Sequence, residues 1–243
     1  KTMADPLLSL ASERIVTPNG IESGYLHIES GRISGLDSTP RGKIVDYRHA
    51  ILMPGFVDIH VHGWGRGSFA WRGERRSLQA MSRDLVNAGV TAWLATSATQ
   101  PETFLLESLS TAADWIADAK AEDGAEAVGI HMEGPFINQQ FKGAQAGKNI
   151  TRADFAVIAP YQDIVKLITL APEMLEGDYQ FLDQCREAGI IVSCGHSAVD
   201  YDTAVDVITH HGAAHITHLF NGMPVMHHRQ PGLVGAALDT IAN

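Results

Sequence analysis

The sequence is poor in cysteine, in basic charge and in long apolar runs, and each shortage closes off a class of function. Its two cysteines, Cys185 and Cys194, are too few for a disulfide framework. Both sit among apolar neighbours and read as buried, reduced thiols. Lys and Arg total 18 against 28 Asp and Glu, a formal charge of −10, and no basic run occurs. Binding to nucleic acid, which depends on neutralising phosphates, is not expected of such a chain. No stretch approaches the roughly 20 apolar residues needed to cross a bilayer. The opening Lys1-Thr2-Met3-Ala4-Asp5-Pro6 has none of the apolar segment of a secretory leader. The expectation is a cytoplasmic protein with no nucleic-acid or membrane partner. Apolar residues at 45% and charged residues at 19% suit a globular, core-forming chain. Histidine stands out: there are 12, several of them paired.

The 243 residues exceed one average domain and fall short of two. Residues 1–50 read as short β-segments separated by Pro-Asn-Gly and Ser-Gly turns, a small β-sandwich-like domain. Its apolar set is too small to stand alone, so strands from elsewhere should complete it. From Ile51 the rhythm becomes strand, loop, helix. Strand-like runs fall at 55–60, 91–96, 127–131, 165–170, 190–194 and 213–217. Segments of helical period lie between them, such as Leu78, Met81, Leu85 and Val86, or Phe104, Leu105, Leu109, Ala112 and Ile116. Gly89, Gly189 and Gly212 close three of these segments just before the next strand. Continuous apolar strands alternating with amphipathic helices imply an α/β fold with a parallel sheet. Two architectures accommodate six units: an open doubly wound sheet, or the first six βα units of a (β/α)8 TIM-type barrel. Residues 51–243 are fewer than the about 250 of a typical full barrel.

The chemically capable side chains follow the strands, where loops of parallel α/β folds converge. His60-Val61-His62-Gly63 follows the first and His131-Met132-Glu133-Gly134-Pro135 the third. Ala171-Pro172-Glu173, Gly195-His196-Ser197 and His218-Leu219-Phe220-Asn221 follow the fourth, fifth and sixth. Residues two apart in a strand face one side, so His60 and His62 can address one ion; alone, the pair reads equally as two satisfied strand-end histidines. A carboxylate at the exit of a buried strand is costly unless paired or coordinated. Glu133 with neutral His196 and His218 would supply one oxygen and two nitrogens, a normal zinc set that leaves a position for water. His131 reads either as orienting the ligands beside it or, the favoured reading, as plainly structural; Glu173 reads as a capping or structural carboxylate, and His210 and His211 as suited to a helix C-terminus.

These segments resemble the N-acetylglucosamine-6-phosphate deacetylases of the amidohydrolase superfamily. The matching stretches are Pro54-Gly55-Phe56-Val57-Asp58-Ile59-His60-Val61-His62-Gly63, Gly129-Ile130-His131-Met132-Glu133-Gly134-Pro135-Phe136 and Lys142-Gly143-Ala144. They continue through Thr169-Leu170-Ala171-Pro172-Glu173, Gly195-His196-Ser197, Thr217-His218-Leu219-Phe220-Asn221, Arg229 and Pro231-Gly232-Leu233. The resemblance implies a barrel-type hydrolase domain over 51–243 that removes acetate from N-acetylglucosamine 6-phosphate. It implies that Glu133, His196 and His218 hold the principal divalent metal, with zinc first and Fe, Co or Mn as alternatives. His60 and His62 match a pair that binds a second ion in some members, so one or two ions are expected. Ala144, Gln145, Asn221 and Gly222 match substrate-contacting positions; Gln145 stands where histidine is common, and it can exchange hydrogen bonds but carries no charge. Arg229 matches the arginine that grips the substrate phosphate, in some members across the interface of a homodimer; from the residues alone it reads equally as a surface arginine.

The largest departure is at the C-terminus. The family continues through further strands that carry the Asp serving as general base, whereas this chain ends at Asn243. The resemblance therefore implies a C-terminally truncated enzyme whose catalytic Asp lies beyond Asn243, and Asp239 is not that residue. Two rival readings stand beside it: an amidohydrolase acting on cyclic amides or deaminating a base, and a sugar-phosphate-binding fragment without turnover.

Overall fold

A computed structural model describes residues 7–241. Lys1 to Pro6, read above as lacking a leader's apolar segment, lie outside the described residues, as do Ala242 and Asn243. Among the described residues no helix is long and apolar enough to cross a membrane. The chain divides into two compact units, Lys1–Gly55 and Phe56–Asn243.

The first unit is a five-stranded sheet. Its strands are β1 (Leu8–Thr17), β2 (Gly20–Glu29), β3 (Arg32–Asp37), β4 (Lys43–Asp46) and β5 (Ile51–Leu52). The order is β3-β2-β1-β4, with β5 also on β1. Hairpins at Pro18-Asn19 and Ser30-Gly31 join the antiparallel pairs, while β4 and β5 run parallel to β1. The small apolar set has a visible result. Among its described residues the buried apolar side chains are Ala11 and Ile15, and much of the remaining interior is polar: Ser9, Ser12 and His27. Ser9 Oγ lies 3.0 Å from His27 Nδ1, and His27 Nε2 lies 3.2 Å from Asp37 Oδ1.

The second unit begins with β6 (Phe56–Val61) and a short hairpin, β7 (Gly63–Trp64) and β8 (Gly67–Ser68). There follow α1 (Arg75–Leu85), β9 (Val90–Ser97), α2 (Glu102–Asp118), β10 (Glu126–Glu133), β11 (Val165–Leu170) and α3 (Gln180–Glu187). The unit ends with β12 (Ile191–Cys194), α4 (Tyr201–Thr209), β13 (Ala213–Ile216) and α5 (Gly232–Ile241). The six main strands are all parallel and sit in chain order, β13-β12-β11-β10-β9-β6. A doubly wound sheet reverses its order at a switch point; this one does not. Nor is it flat. Five inter-strand steps of about 4.8 Å would separate the edge strands by about 24 Å. Yet the rings of His60, on one edge strand, and His218, just past the other, have centroids 4.9 Å apart. The sheet is a curled part of a TIM-type barrel.

Sequence periodicity locates the helices because each buries one stripe. Leu78, Met81 and Leu85 on α1, and Leu105, Leu109 and Ala112 on α2, are buried against the sheet. Gly189 and Gly212 take the left-handed conformation (φ 71° and 78°) that ends a helix ahead of a strand. Two features escape the periodicity. The third crossover, residues 134–164, has short 3-10 turns at Gly147–Asn149, Phe155–Val157 and Ala159–Tyr161 instead of an α-helix. Pro135, Gly143 and Gly147 interrupt its first half, and the stretch 148–159 before Pro160 develops only short turns. Conversely, α5 forms despite Gly232 and Gly235, because Leu233, Val234, Ala236 and Ala237 are buried.

Cys185 and Cys194 are free and buried, and burial pushes both thiols up to about 12. The native protein is therefore expected to resist Ellman's reagent at pH 8 and to release two equivalents of thiol on unfolding. A fast-reacting thiol in the native state would contradict this packing.

Candidate metal centre

Four strand ends deliver the site. His60 lies on β6 and His62 just past it, Glu133 ends β10, and His196 and His218 lie two residues beyond β12 and β13. Glu133 is buried, and four imidazoles surround its carboxylate. His196 Nε2 and His218 Nε2 lie 3.0 and 2.7 Å from Oε1, His60 Nε2 lies 3.5 Å from Oε1, and His62 Nε2 lies 3.0 Å from Oε2. Glu133, His196 and His218 form one group of ligand atoms, all within 4.8 Å of one another. His60, His62 and Glu133 form a second group of the same kind.

The backbone is bent to make this possible. His196 and His218 have φ of 50° and 59°, a left-handed conformation that a non-glycine residue adopts at a cost of roughly 1–3 kcal/mol. Gly195 permits the turn before His196, since a Cβ there would lie 2.9 Å from Thr217 Cβ and 3.0 Å from Thr169 Cγ2. After the turn, Glu173 fastens the chain: its carboxylate accepts from Ser197 Oγ (2.6 Å), Ala198 N (2.7 Å) and Asn138 Nδ2 (2.7 Å).

Ring orientation suits this group to a cation. His196 Nδ1 donates to the Phe141 carbonyl at 2.7 Å, and His62 Nδ1 to the Thr96 carbonyl at 3.1 Å. A carbonyl only accepts, so each neutral ring carries its hydrogen on Nδ1 and turns the bare lone pair of Nε2 toward Glu133. Lone pairs facing a carboxylate oxygen repel unless a cation lies between them or the ring is protonated. The donor set thus fits a divalent cation, and carbonyl bonds on the far nitrogens are the usual support for metal-ligating histidines. Burial works to raise the Glu133 carboxyl, but the imidazoles of His196, His218 and His62 hold it well below the ordinary carboxylate range. Burial brings His60 down to about 4, against the pull of Glu133. Burial also works to lower His196, but the Glu133 carboxylate outweighs it and raises that group.

Beneath the site a hydrogen-bonded row crosses the sheet. His131, whose burial brings it down to about 3, lies with Nδ1 2.8 Å from the Ile59 carbonyl and Nε2 2.7 Å from Thr169 Oγ1. The row continues from Thr169 to Thr217 at 2.8 Å, from Thr217 to Ser193 at 2.6 Å, and from Ser193 to His215 Nδ1 at 3.0 Å. His131 and Glu173 are each held by hydrogen bonds to neighbouring strands and loops.

Above the carboxylate opens a cavity of about 430 Å³. Of the candidate substrate contacts, Ala144, Gln145 and Asn221 line it. Gly222 lies behind His196, where a Cβ would come 3.3 Å from that ring. Arg229 is exposed on the 227–230 turn and is not among the lining residues. Trp71, half exposed on the cavity wall, was missed. A tryptophan, one of two with Trp64 in the Gly-rich stretch after His62, was the available signal. The Phe141 and Thr96 carbonyls left no signal at all, because any residue supplies one.

A family model described as the amidohydrolase family matches residues 51–238. The N-acetylglucosamine-6-phosphate deacetylase of Bacillus subtilis (strain 168) is 36% identical over 248 residues, covering 97% of this chain and 61% of the relative. The N-acetylgalactosamine-6-phosphate deacetylase of Escherichia coli O157:H7 is 30% identical, covering 94% of this chain and 60% of its own. Among solved structures, the N-acetylglucosamine-6-phosphate deacetylase from Pasteurella multocida aligns with a TM-score of 0.85 at 28% identity, covering 96% of this chain and 62% of that one. The chain therefore spans about three-fifths of the length of these relatives.

Proposed function

Because this chain belongs to the amidohydrolase family, we propose that it builds the metal centre of an enzyme that hydrolyses the acetamide of N-acetylglucosamine 6-phosphate to glucosamine 6-phosphate and acetate. The observation that carries the reading is the pair of Nε2 lone pairs, on His62 and His196, turned toward one buried carboxylate. The deacetylase names of relatives at 36% and 30% identity support the choice of reaction. A divalent cation held there, zinc foremost, supplies polarisation of the amide carbonyl and a water acidic enough to act near neutral pH.

The chain's own residues would do the rest. Glu133, His196 and His218 hold the cation, and the carbonyls of Phe141 and Thr96 fix the ring orientations. The half-exposed Trp71 offers an apolar face to the sugar, and Asn221 a hydrogen-bonding amide on the same cavity. Glu133 is the one carboxylate among the described lining residues and is taken by the cation, so no second carboxylate of that set is left to carry a proton to the leaving amine. Arg229, exposed and off the cavity, would reach the phosphate of a substrate bound in the partner of a homodimer. Reduced, buried cysteines accord with a cytoplasmic setting.

Acetate release is the test. A full-length protein, carrying the proton-transfer group expected beyond Asn243, should deacetylate N-acetylglucosamine 6-phosphate faster than the galacto sugar, lose that activity on dialysis against a chelator, and regain it with a divalent cation. Metal-loaded full-length protein that releases no acetate from either sugar would overturn the reading.

A further inference from the structure

Gln145 is set apart from the other residues around Glu133. It is buried, and both ends of its side-chain amide are engaged. The Thr99 N–H donates to Oε1 at 2.5 Å, and Nε2 donates to Glu133 Oε2 at 2.5 Å. The first contact dictates the second. A backbone N–H can only donate, so the amide oxygen must face Thr99 and the amide nitrogen must face the carboxylate. Gln145 therefore offers Glu133 hydrogens and no lone pair.

The carboxylate is divided as a result. Oε1 faces His196 and His218, with His60 farther off at 3.5 Å, whereas Oε2 faces His62 and also accepts the Gln145 hydrogen. Building on the metal-centre reading, we propose that Gln145 is a positioning residue that makes the two candidate cation positions unequal. It leaves Oε1 to an ion held with His196 and His218, and it weakens the ion that His60 and His62 would hold by occupying Oε2, the oxygen that His62 faces. An N–H at hydrogen-bond distance uses a lone pair of Oε2 and sets partial positive charge where the second cation must approach. An imidazole or carboxylate at this position could turn a lone pair toward that cation. The glutamine amide could do so only by leaving the buried Thr99 N–H without its acceptor.

The test is zinc stoichiometry and affinity, measured by calorimetric titration of chelator-stripped protein and by native mass spectrometry. Wild type is expected to bind one ion tightly and a second at least about tenfold more weakly, a gap of about 1.4 kcal/mol. Gln145→Met keeps the length of the side chain and removes the donor. Gln145→Glu keeps an acceptor for the Thr99 N–H and replaces the donor with an oxygen, so it carries the test should the methionine variant not fold. In both variants the second ion is expected to bind about tenfold or more tightly than in wild type, with the first unchanged. Two equal sites in wild type would overturn the proposal, as would a second affinity that stays put in the variants. Weaker second binding in Gln145→Met would make Gln145 a ligand, and so would also overturn it. Wild type that binds no zinc would remove the metal-centre reading itself, a result distinct from each of these.

Discussion

Replacing Glu133 by glutamine is expected to lower the affinity for the first zinc ion by more than about a hundredfold, beyond the 10–100-fold typical of groups that only support a ligand. The substitution is close to isosteric, so the loss reports on charge and lone pairs rather than on shape. In the native site one anionic oxygen faces the Nε2 atoms of His196 and His218, and both cation positions depend on the same carboxylate. A neutral amide there supplies at best one weak acceptor. Zinc content after gel filtration, measured by plasma emission, checks the effect directly, and acetate release should fall in parallel. Unchanged zinc content would take Glu133 out of the ligand set.

Trp93→Ala is expected to destabilise the protein by about 3–5 kcal/mol, the range for removing a fully buried aromatic. That is a large share of the about 5–15 kcal/mol by which a typical domain is stable. Trp93 is wholly buried on β9 and packs against Trp115 of α2, with ring centroids 6.4 Å apart. Its Nε1 lies 3.2 Å from both Ser82 Oγ and the Ala125 carbonyl, so one side chain links the sheet to α1 and to the turn before β10. Chemical denaturation should show a lower midpoint with little change in slope. Trp93→Phe, which keeps a ring and loses only the N–H, should fall between. Equal stability of all three proteins would show that the β9–α2 contact carries no weight.

How much of this was legible in the sequence varies with the physics of each part. The six strands are continuous apolar runs and the helices bury a single stripe, so periodicity places both. The candidate ligands were legible because buried carboxylates and imidazoles at strand ends are expensive without a partner. The third crossover was not, since 3-10 turns such as Phe155–Val157 have no period long enough to register. The resemblance implies Gln145 as a substrate contact and it does line the cavity, but spacing cannot reveal that its side chain also folds back onto Thr99 and Glu133. The left-handed conformations of His196 and His218 were equally hidden: residue type argues against them, and only the requirement that both rings meet Glu133 imposes them.

The row of hydroxyls under the site has a fixed polarity. His131 is neutral and spends its hydrogen on the Ile59 carbonyl, so its other nitrogen can only accept, and Thr169 must donate to it. Each hydroxyl owns one hydrogen. Thr217 must therefore donate to Thr169, Ser193 to Thr217, and His215 to Ser193. One peptide oxygen on β6 thereby selects the tautomer of a histidine on β13, and every O–H between them is aligned in the same sense, like magnets queued behind the first.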